Sequence, residues 1–297
     1  MAFKRAHTPQ GDAGKGRFRP FERIRPNARP RRTEADARIA VPAQRTQAGD
    51  GPVRLSKRMG ELGLASRREA DAWIEKGWVL VNGTPAAIGQ KVMPEDRIEV
   101  LECARREQST LATILIHKPV GYVSGQAEEG YEPARVLVTP ENHWREDKSP
   151  RRFSYAQLKS LVPAGRLDID SVGLLVLTQD GRVAKRLIAP DSPVDKEYIV
   201  RVTELAGGAP RFTEDRLRLL RHGLTLDGRP LQKAGIEVMN EAELRFTLVE
   251  GRKRQIRRMC EAVGLKVVRL KRVRIGGVRL GALPIGKWRY LGEDERF

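Results

Sequence analysis

Asp168 lies in Ala164-Gly-Arg-Leu-Asp-Ile-Asp-Ser171, a largely polar run that leads into the apolar stretch Leu174 to Leu177. Such a stretch predicts a strand buried on both faces. The loop before it is therefore presented by a rigid scaffold, a common seat for catalytic groups. A carboxylate held there, kept ionised by a nearby cation, could act as a nucleophile. A turn or cap is the ordinary account of such an aspartate, and Asp170 is open to the same reading. A second group is Tyr198, in Asp195-Lys-Glu-Tyr-Ile-Val-Arg201, which shares one strand face with Val200 and Val202. Taken alone it reads as a half-buried strand tyrosine. The third is Gly251-Arg-Lys-Arg-Gln-Ile-Arg-Arg258, in which five of eight residues are basic. Ile256, Met259, Cys260 and Val263 follow at helical spacing and Gly264 can close the helix. Positive charge crowded at a helix N-terminus opposes the dipole unless an anion sits nearby. A solvated basic face is the other reading.

These groups need elements to hold them. Leu111 to Ile116 predicts a strand ahead of the turn Lys118-Pro-Val-Gly121, and residues 128 to 160 a long irregular loop with a helical turn near Tyr155 to Leu161. Asp180-Gly181 turns the chain into a helix carrying Val183, Ala184 and Leu187. Leu265 to Leu280 reads as a strand with six Lys/Arg, interrupted near Lys271-Arg272 in the manner of a bulge. Upstream, Leu55, Met59 and Leu62 predict a short helix ended by Gly63. Ser66 and Glu69 then form a capping box for a helix with Ala70, Trp73 and Ile74 inside and Gly77 at its end. A strand over Trp78 to Val81 and an Asn82-Gly83 hairpin turn complete a module ending near Leu101. Arg58, Arg67 and Arg68 fall off the apolar stripes, as a basic outer face. Arg105 to Thr110 reads as a charged linker.

The chain carries 56 Lys+Arg against 38 Asp+Glu, a formal net charge of +18. That excess points to a polyanion, since basic side chains release counterions from phosphates. Residues 1 to 50 hold twelve Lys/Arg and five Asp/Glu with few apolar residues, which predicts a basic disordered arm. Only Cys103 and Cys260 are present, and His7, His117, His143 and His222 are scattered. A disulfide framework and a zinc site are not expected. The start lacks an apolar signal core and no apolar run reaches membrane-spanning length, so a cytoplasmic protein without a membrane partner is expected.

Two resemblances sharpen this reading. Residues 53 to about 100, with Ser66-Arg-Arg-Glu-Ala-Asp71 and Val81-Asn-Gly83, resemble an S4 domain, a small RNA-binding module. Gly165-Arg-Leu-Asp168, Ser171, Gly173-Leu-Leu and Thr178-Gln-Asp-Gly181 resemble the signature of RsuA-like RNA pseudouridine synthases. The second resemblance implies an α+β fold: residues 1–50 as arm, 51–105 as S4 domain, and 106–297 as a catalytic domain with a mixed, mainly antiparallel sheet flanked by helices. It implies that Asp168 is the catalytic residue, Tyr198 the active-site tyrosine, and Arg257 the cation paired with Asp168, with Arg166 a further cation beside it. Ile256 would line the pocket, and Arg58, Arg67, Arg68, Arg252, Lys253, Arg254 and Arg258 would bind RNA. Lys118-Pro-Val-Gly121 and Gln255-Ile-Arg-Arg-Met259 are most similar to the large-subunit synthase F branch. That branch implies a 23S rRNA uridine, with a tRNA uridine as a second substrate; the isomerisation needs no cofactor or metal, and a monomer is expected. A non-catalytic S4-type ribosome-assembly protein explains the charge equally well, but not Asp168, Tyr198 and Arg257 together. An RNA repair glycosidase would use similar carboxylate chemistry and release the base.

Overall fold

The computed structural model describes residues 38–40 and 51–297. All of them fall in one compact unit, Ala37–Phe297. Most of the expected basic arm lies outside the described residues. Arg38–Ala40, counted in that arm, instead form an edge strand, β1, paired antiparallel with Ile98–Leu101. Strand addition draws on main-chain hydrogen bonds, so it needs little apolar side-chain area.

The first module follows the local signals. Helix α1 (Leu55–Glu61) is followed by α2 (Arg67–Glu75). The capping box forms: the Glu69 amide donates to Ser66 Oγ at 3.4 Å, and the Ser66 amide to the Glu69 carboxylate at 3.0 Å. β2 (Val79–Val81) turns at Asn82 (φ 51°) and Gly83 (φ 80°) into β3 (Thr84–Pro85), the paired positive φ values that an Asn-Gly hairpin favours. With β4 (Ile98–Leu101) they form a sheet ordered β1-β4-β2-β3. Leu55, Met59, Trp73, Ile74, Val79 and Val100 make its core. Residues read as a linker are helical: α3 spans Glu102–Ser109 and buries Ala104. Its Gln108 side chain donates to the Leu64 carbonyl and to Glu69, so tertiary contacts stabilise a segment of weak apolar pattern.

The second part is a nine-stranded sheet. Its strands are β5 (Thr113–Lys118), β6 (Val172–Thr178), β7 (Lys196–Glu204), β8 (Gly235–Asn240), β9 (Glu243–Leu248), β10 (Leu265–Ile275) and β11 (Trp288–Tyr290). They run in the order β8-β9-β7-β10-β6-β5-β11, with two-residue strands Val162–Pro163 on β6 and Val278–Arg279 on β10. Every pairing is antiparallel except β10 with β6, which is parallel and rests on Lys271↔Val172 and Arg272↔Gly173. Helices α4 (Gly181–Ile188), α5 (Glu214–Arg221) and α6 (Gln255–Ala262) flank the sheet. Asp180 caps α4, its carboxylate accepting from the Arg182 amide at 2.8 Å.

On one side of that parallel joint a core of Val200, Leu220, Phe246, Met259 and Leu270 binds α5 and α6 to β7–β10. On the other side Ile114, Ile116, Leu175, Leu177, Trp288 and Tyr290 form a separate core. The long segment before the Asp168 loop has three 3₁₀ turns, Ala134–Leu137, Pro140–Asn142 and Tyr155–Leu158. It is anchored to this second core: the Trp288 indole donates to the Thr139 carbonyl at 2.7 Å and stacks on His143, ring centroids 4.2 Å apart.

The two parts touch where α2 meets α4. An added Cβ at Gly181 would lie 2.3 Å from Ser66 Cβ, and Lys185 Nζ donates to the Gly60 carbonyl at 2.9 Å. The residue before Arg182 therefore has no room for a side chain.

Candidate active site

The loop carrying Asp168 is pinned on both sides of that residue. Ser124 Oγ donates to the Leu167 carbonyl at 2.7 Å and accepts from the Leu167 amide at 2.8 Å. The Leu167 side chain is buried in the α6-side core. One residue beyond Asp168, the Ile169 carbonyl accepts from the Gly121 amide at 2.9 Å. The Ser171 amide donates to the Asp168 carbonyl at 3.1 Å and closes the turn. Asp168 is thus half-exposed on a fixed backbone. Its carboxylate makes no hydrogen bond and no ion pair within 4.0 Å among the described residues.

Lys118, at the end of β5, is fully buried beneath this loop. Its ammonium donates to the Pro119 and Tyr122 carbonyls at 2.8 and 3.0 Å. Burial brings its pKa down to about 8, while the carboxylates of Asp170 and Asp168 oppose that fall. The Lys118-Pro-Val-Gly turn was legible, but no periodicity marked a buried lysine there.

Asp168, Tyr198, Arg166, Ile256 and Arg257 line one cleft of about 860 Å³. Tyr198 enters from β7, half-buried, and Ile256 and Arg257 from the first turn of α6. Arg166 is exposed at the rim, and among the described residues its guanidinium has no hydrogen bond or ion pair.

The partner of Arg257 differs from expectation. Its guanidinium pairs with Asp170 Oδ1 at 3.0 Å, not with Asp168, and donates to the Asp170 carbonyl at 3.1 Å and Ser171 Oγ at 3.3 Å. Arg254 grips the other Asp170 oxygen at 3.1 Å. The physical reason was half visible in the sequence. The basic N-terminal turn of α6 requires an anion, and Asp170 supplies it, two residues beyond the carboxylate that stays free.

The basic residues around α6 divide. Lys253 and Arg254 are exposed on the cleft wall. Arg252, expected to bind RNA, has spent its donors on the carbonyls of Leu226, Arg229 and Pro230 at 2.7–3.0 Å and on Glu250. Arg258 lies outside the cleft and makes a two-pronged pair with Asp227 at 2.7 and 2.9 Å. Both attach α6 to the neighbouring 225–230 hairpin, and neither presents a free guanidinium to a phosphate. Arg58 also departs from expectation: it is 3% exposed and lies 3.6 Å from Glu61, so it belongs to the interior of the first module. A long aliphatic stem allows an arginine to pack this way. Arg67 and Arg68 are exposed on the first turn of α2 and lie outside the cleft.

A family model described as RNA pseudouridylate synthase matches residues 112–262, and the S4 domain model matches residues 53–98. The chain is 38% identical over 248 residues to the dual-specificity RNA pseudouridine synthase RluF of Escherichia coli K12, covering 83% of this chain and 78% of that protein. It belongs to the RNA pseudouridylate synthase family. Ribosomal large subunit pseudouridine synthase B of Bacillus subtilis is 34% identical, with 73% of this chain and 82% of that one covered. A solved pseudouridylate synthase superposes with a TM-score of 0.53 at 26% identity, covering 81% of this chain and 96% of that chain. The chain is thus an isomerase of the pseudouridine synthase class with an S4 domain and an α+β fold.

For this synthase the Asp170 clamp has a measurable consequence. Asp170→Ala leaves Arg257, 10% exposed, without a carboxylate. Because Asp170 itself is 39% exposed, screening holds the expected stability loss to about 1–2 kcal/mol. Misplacement of Arg257 should lower turnover about 10–100-fold. Initial rates beside thermal unfolding test this, and an unchanged rate would mean that Arg257 keeps its place without the clamp.

Proposed function

We propose that this synthase converts uridines of 23S rRNA, and a tRNA uridine as well, to pseudouridine, with Asp168 as nucleophile. The observation that carries this reading is the Asp168 carboxylate, without a hydrogen bond or ion pair among the described residues and on a backbone fixed at Leu167 and Ile169, in one cleft with Tyr198 and Arg257. The relatives named dual-specificity synthase and large-subunit synthase support the substrate choice.

The reaction breaks the bond from N1 of uracil to the sugar, turns the base, and forms the bond from C5 to the same sugar carbon. N1 gains a proton and C5 loses one, so the reaction is redox-neutral. A stacked base cannot turn, so the uridine must leave its helix or be unpaired, typically at a cost of a few kcal/mol for extrusion. Phosphate contacts to Lys253, Arg254 and the exposed Arg67 and Arg68 offset that cost. Tyr198 gives the base a face to stack on. Arg257, tied to Asp170, and Arg166 at the rim supply positive potential to the cleft that holds Asp168. Asp168, Tyr198 and Arg257 come from one chain, which fits a monomer. Among the described residues no helix is long and apolar enough to cross a membrane, and a ribosomal substrate fits the cytoplasm.

The test is tritium release from carbon-5-labelled uridine in transcribed 23S rRNA fragments and tRNAs, with analysis of the product nucleosides. Release with pseudouridine in the product supports the reading. Free uracil would replace it with a glycosidase, and binding without release on any RNA, including immature ribosomal particles, with an assembly factor.

A further inference from the structure

The floor of the cleft holds two cations that the reaction scheme above leaves unused. Arg272 is 3% exposed and has no carboxylate within 4.0 Å among the described residues. Its Nε donates to the Leu174 carbonyl at 2.7 Å and its Nη1 to the Arg166 carbonyl at 3.0 Å. Its Nη2 is buried and has no hydrogen-bond partner among the described residues. Lys196 is half-buried, its ammonium donating to the Val194 carbonyl at 2.9 Å and the Val249 carbonyl at 3.3 Å. An ammonium has three donors, so one remains. Lys196 likewise has no carboxylate within 4.0 Å among the described residues. Its pKa is lowered first by burial and then by the charge of Arg272, so the two cations oppose each other.

Strand geometry puts both on the cleft face. Lys196 and Tyr198 alternate on β7 and therefore share a side. Opposite them Tyr198 pairs with Arg272, but Glu197 pairs with Arg274, so Val273 is an extra residue in β10. A bulge re-aims the side chains on either side of it. This one sends Arg272 to the Tyr198 face and Arg274 to the other. The two arginines are treated in opposite ways. Arg274 is neutralised by Asp195 at 2.8 and 2.9 Å and by Glu197 at 3.1 Å. Arg272, two residues away, receives no acid. Burying a charge unpaired is unfavourable unless a partner arrives, and perturbed, uncompensated charge clusters at functional sites.

We propose that Lys196 and Arg272 form a subsite for one phosphate of the RNA backbone, beside the face of Tyr198. The inference rests on RNA being the substrate. Uracil and ribose are neutral, so the phosphodiester is the anion such a substrate brings into the cleft. A phosphate accepts from the free donors of both side chains, and a phosphate fixed beside Tyr198 holds the nucleotide while its base turns. Arg272 is also a positioning residue, because its two carbonyl contacts brace the Asp168 loop before and after the aspartate.

The experiment changes the RNA as well as the protein. An oligonucleotide whose uridine the wild type converts is made with a neutral methylphosphonate at each phosphate flanking that uridine in turn. In the wild type, one of these replacements should weaken binding by about 10-fold or more. In Lys196→Gln, and in Arg272→Gln if it folds, the same replacement should have almost no further effect. The slope of log affinity against log salt should fall by about 1 in each variant. Equal losses in wild type and variants, with an unchanged salt slope, would overturn the subsite while leaving the synthase reading intact. Failure of the wild type to convert any RNA would instead sink the reading on which the subsite rests.

Discussion

Asp168→Asn is expected to abolish pseudouridine formation while leaving the fold and RNA binding as they are. The substitution is close to isosteric, and the carboxylate gives up no hydrogen bond or ion pair, since it makes none among the described residues. Stability should therefore change by no more than about 0.5 kcal/mol. Loss of a nucleophile costs far more, on the order of 10⁴- to 10⁶-fold in rate. Single-turnover tritium release beside thermal unfolding and an RNA-binding isotherm gives all three readings from one preparation. Wild-type rates in the variant would remove Asp168 from the chemistry. The contrast with Asp170 is informative: its carboxylate is engaged by two arginines, so changing it should move stability and rate together.

Gly173→Ala should produce the largest loss of stability of any change considered for this protein. Gly173 has φ +124°, a conformation L side chains rarely adopt, and an added Cβ would lie 2.3 Å from the Arg272 carbonyl oxygen and 2.6 Å from its nitrogen. Backbone atoms cannot swing aside as a side-chain tip can. Strain at this φ costs about 1–3 kcal/mol, and forced displacement of packed groups about 1–3 kcal/mol more. A loss of about 3–5 kcal/mol corresponds to a fall of roughly 10 °C in Tm for a domain of this size. Differential scanning calorimetry measures it directly. A shift of only one or two degrees would mean that β6 and β10 can separate at little cost.

Much of the architecture was legible because local chemistry and tertiary structure agree. The Ser66–Glu69 capping box, the Asn82-Gly83 hairpin and the Asp180 cap each satisfy backbone groups within a few residues, and such signals survive without knowledge of neighbours. Of the two bulges in β10, one was foreseen one residue early, at Lys271-Arg272 instead of Val273, and the other, at Val268, was not foreseen, because alternation reveals that a strand is interrupted but not where its partner slips. Asp168, Tyr198, Ile256 and Arg257, singled out from three separate motifs, line one cleft. Which acid faces Arg257 was not legible. Asp168 and Asp170 differ by two positions in a loop, and the choice depends on the Ser171-to-Asp168 turn and the placement of α6. The same limit applies to the arginines. Sequence supplies the charge of Arg58, Arg252, Arg258 and Arg272, but whether a guanidinium meets water, a carbonyl or nothing is set by chain segments tens of residues away. A helix such as α3, with almost no apolar face, is similarly invisible until Gln108 finds Leu64 and Glu69.

The parallel joint between β6 and β10 bears on how the molecule yields under load. β10 is hydrogen-bonded to β7 along the whole of Lys196–Glu204, and β6 to β5 along the whole of Thr113–Lys118, yet β10 meets β6 at only two residue pairs. Each half-sheet has its own core, and a third cluster, with Leu174 and Val176 of β6 and Ile275 of β10, spans the joint. The cleft straddles the join, with Asp168 leading into β6 and Tyr198, Ile256 and Arg257 on the far half. Leu167, the Arg272 guanidinium, and the Arg254 and Arg257 pairs to Asp170 are side-chain ties across it. A rotation about the joint would change the gap between Asp168 and Tyr198, but it would also pull on the Asp170 clamp and shear the shared cluster. Where the backbone joins the halves by only two residue pairs, side chains take over the work of holding open the space in which a base would turn.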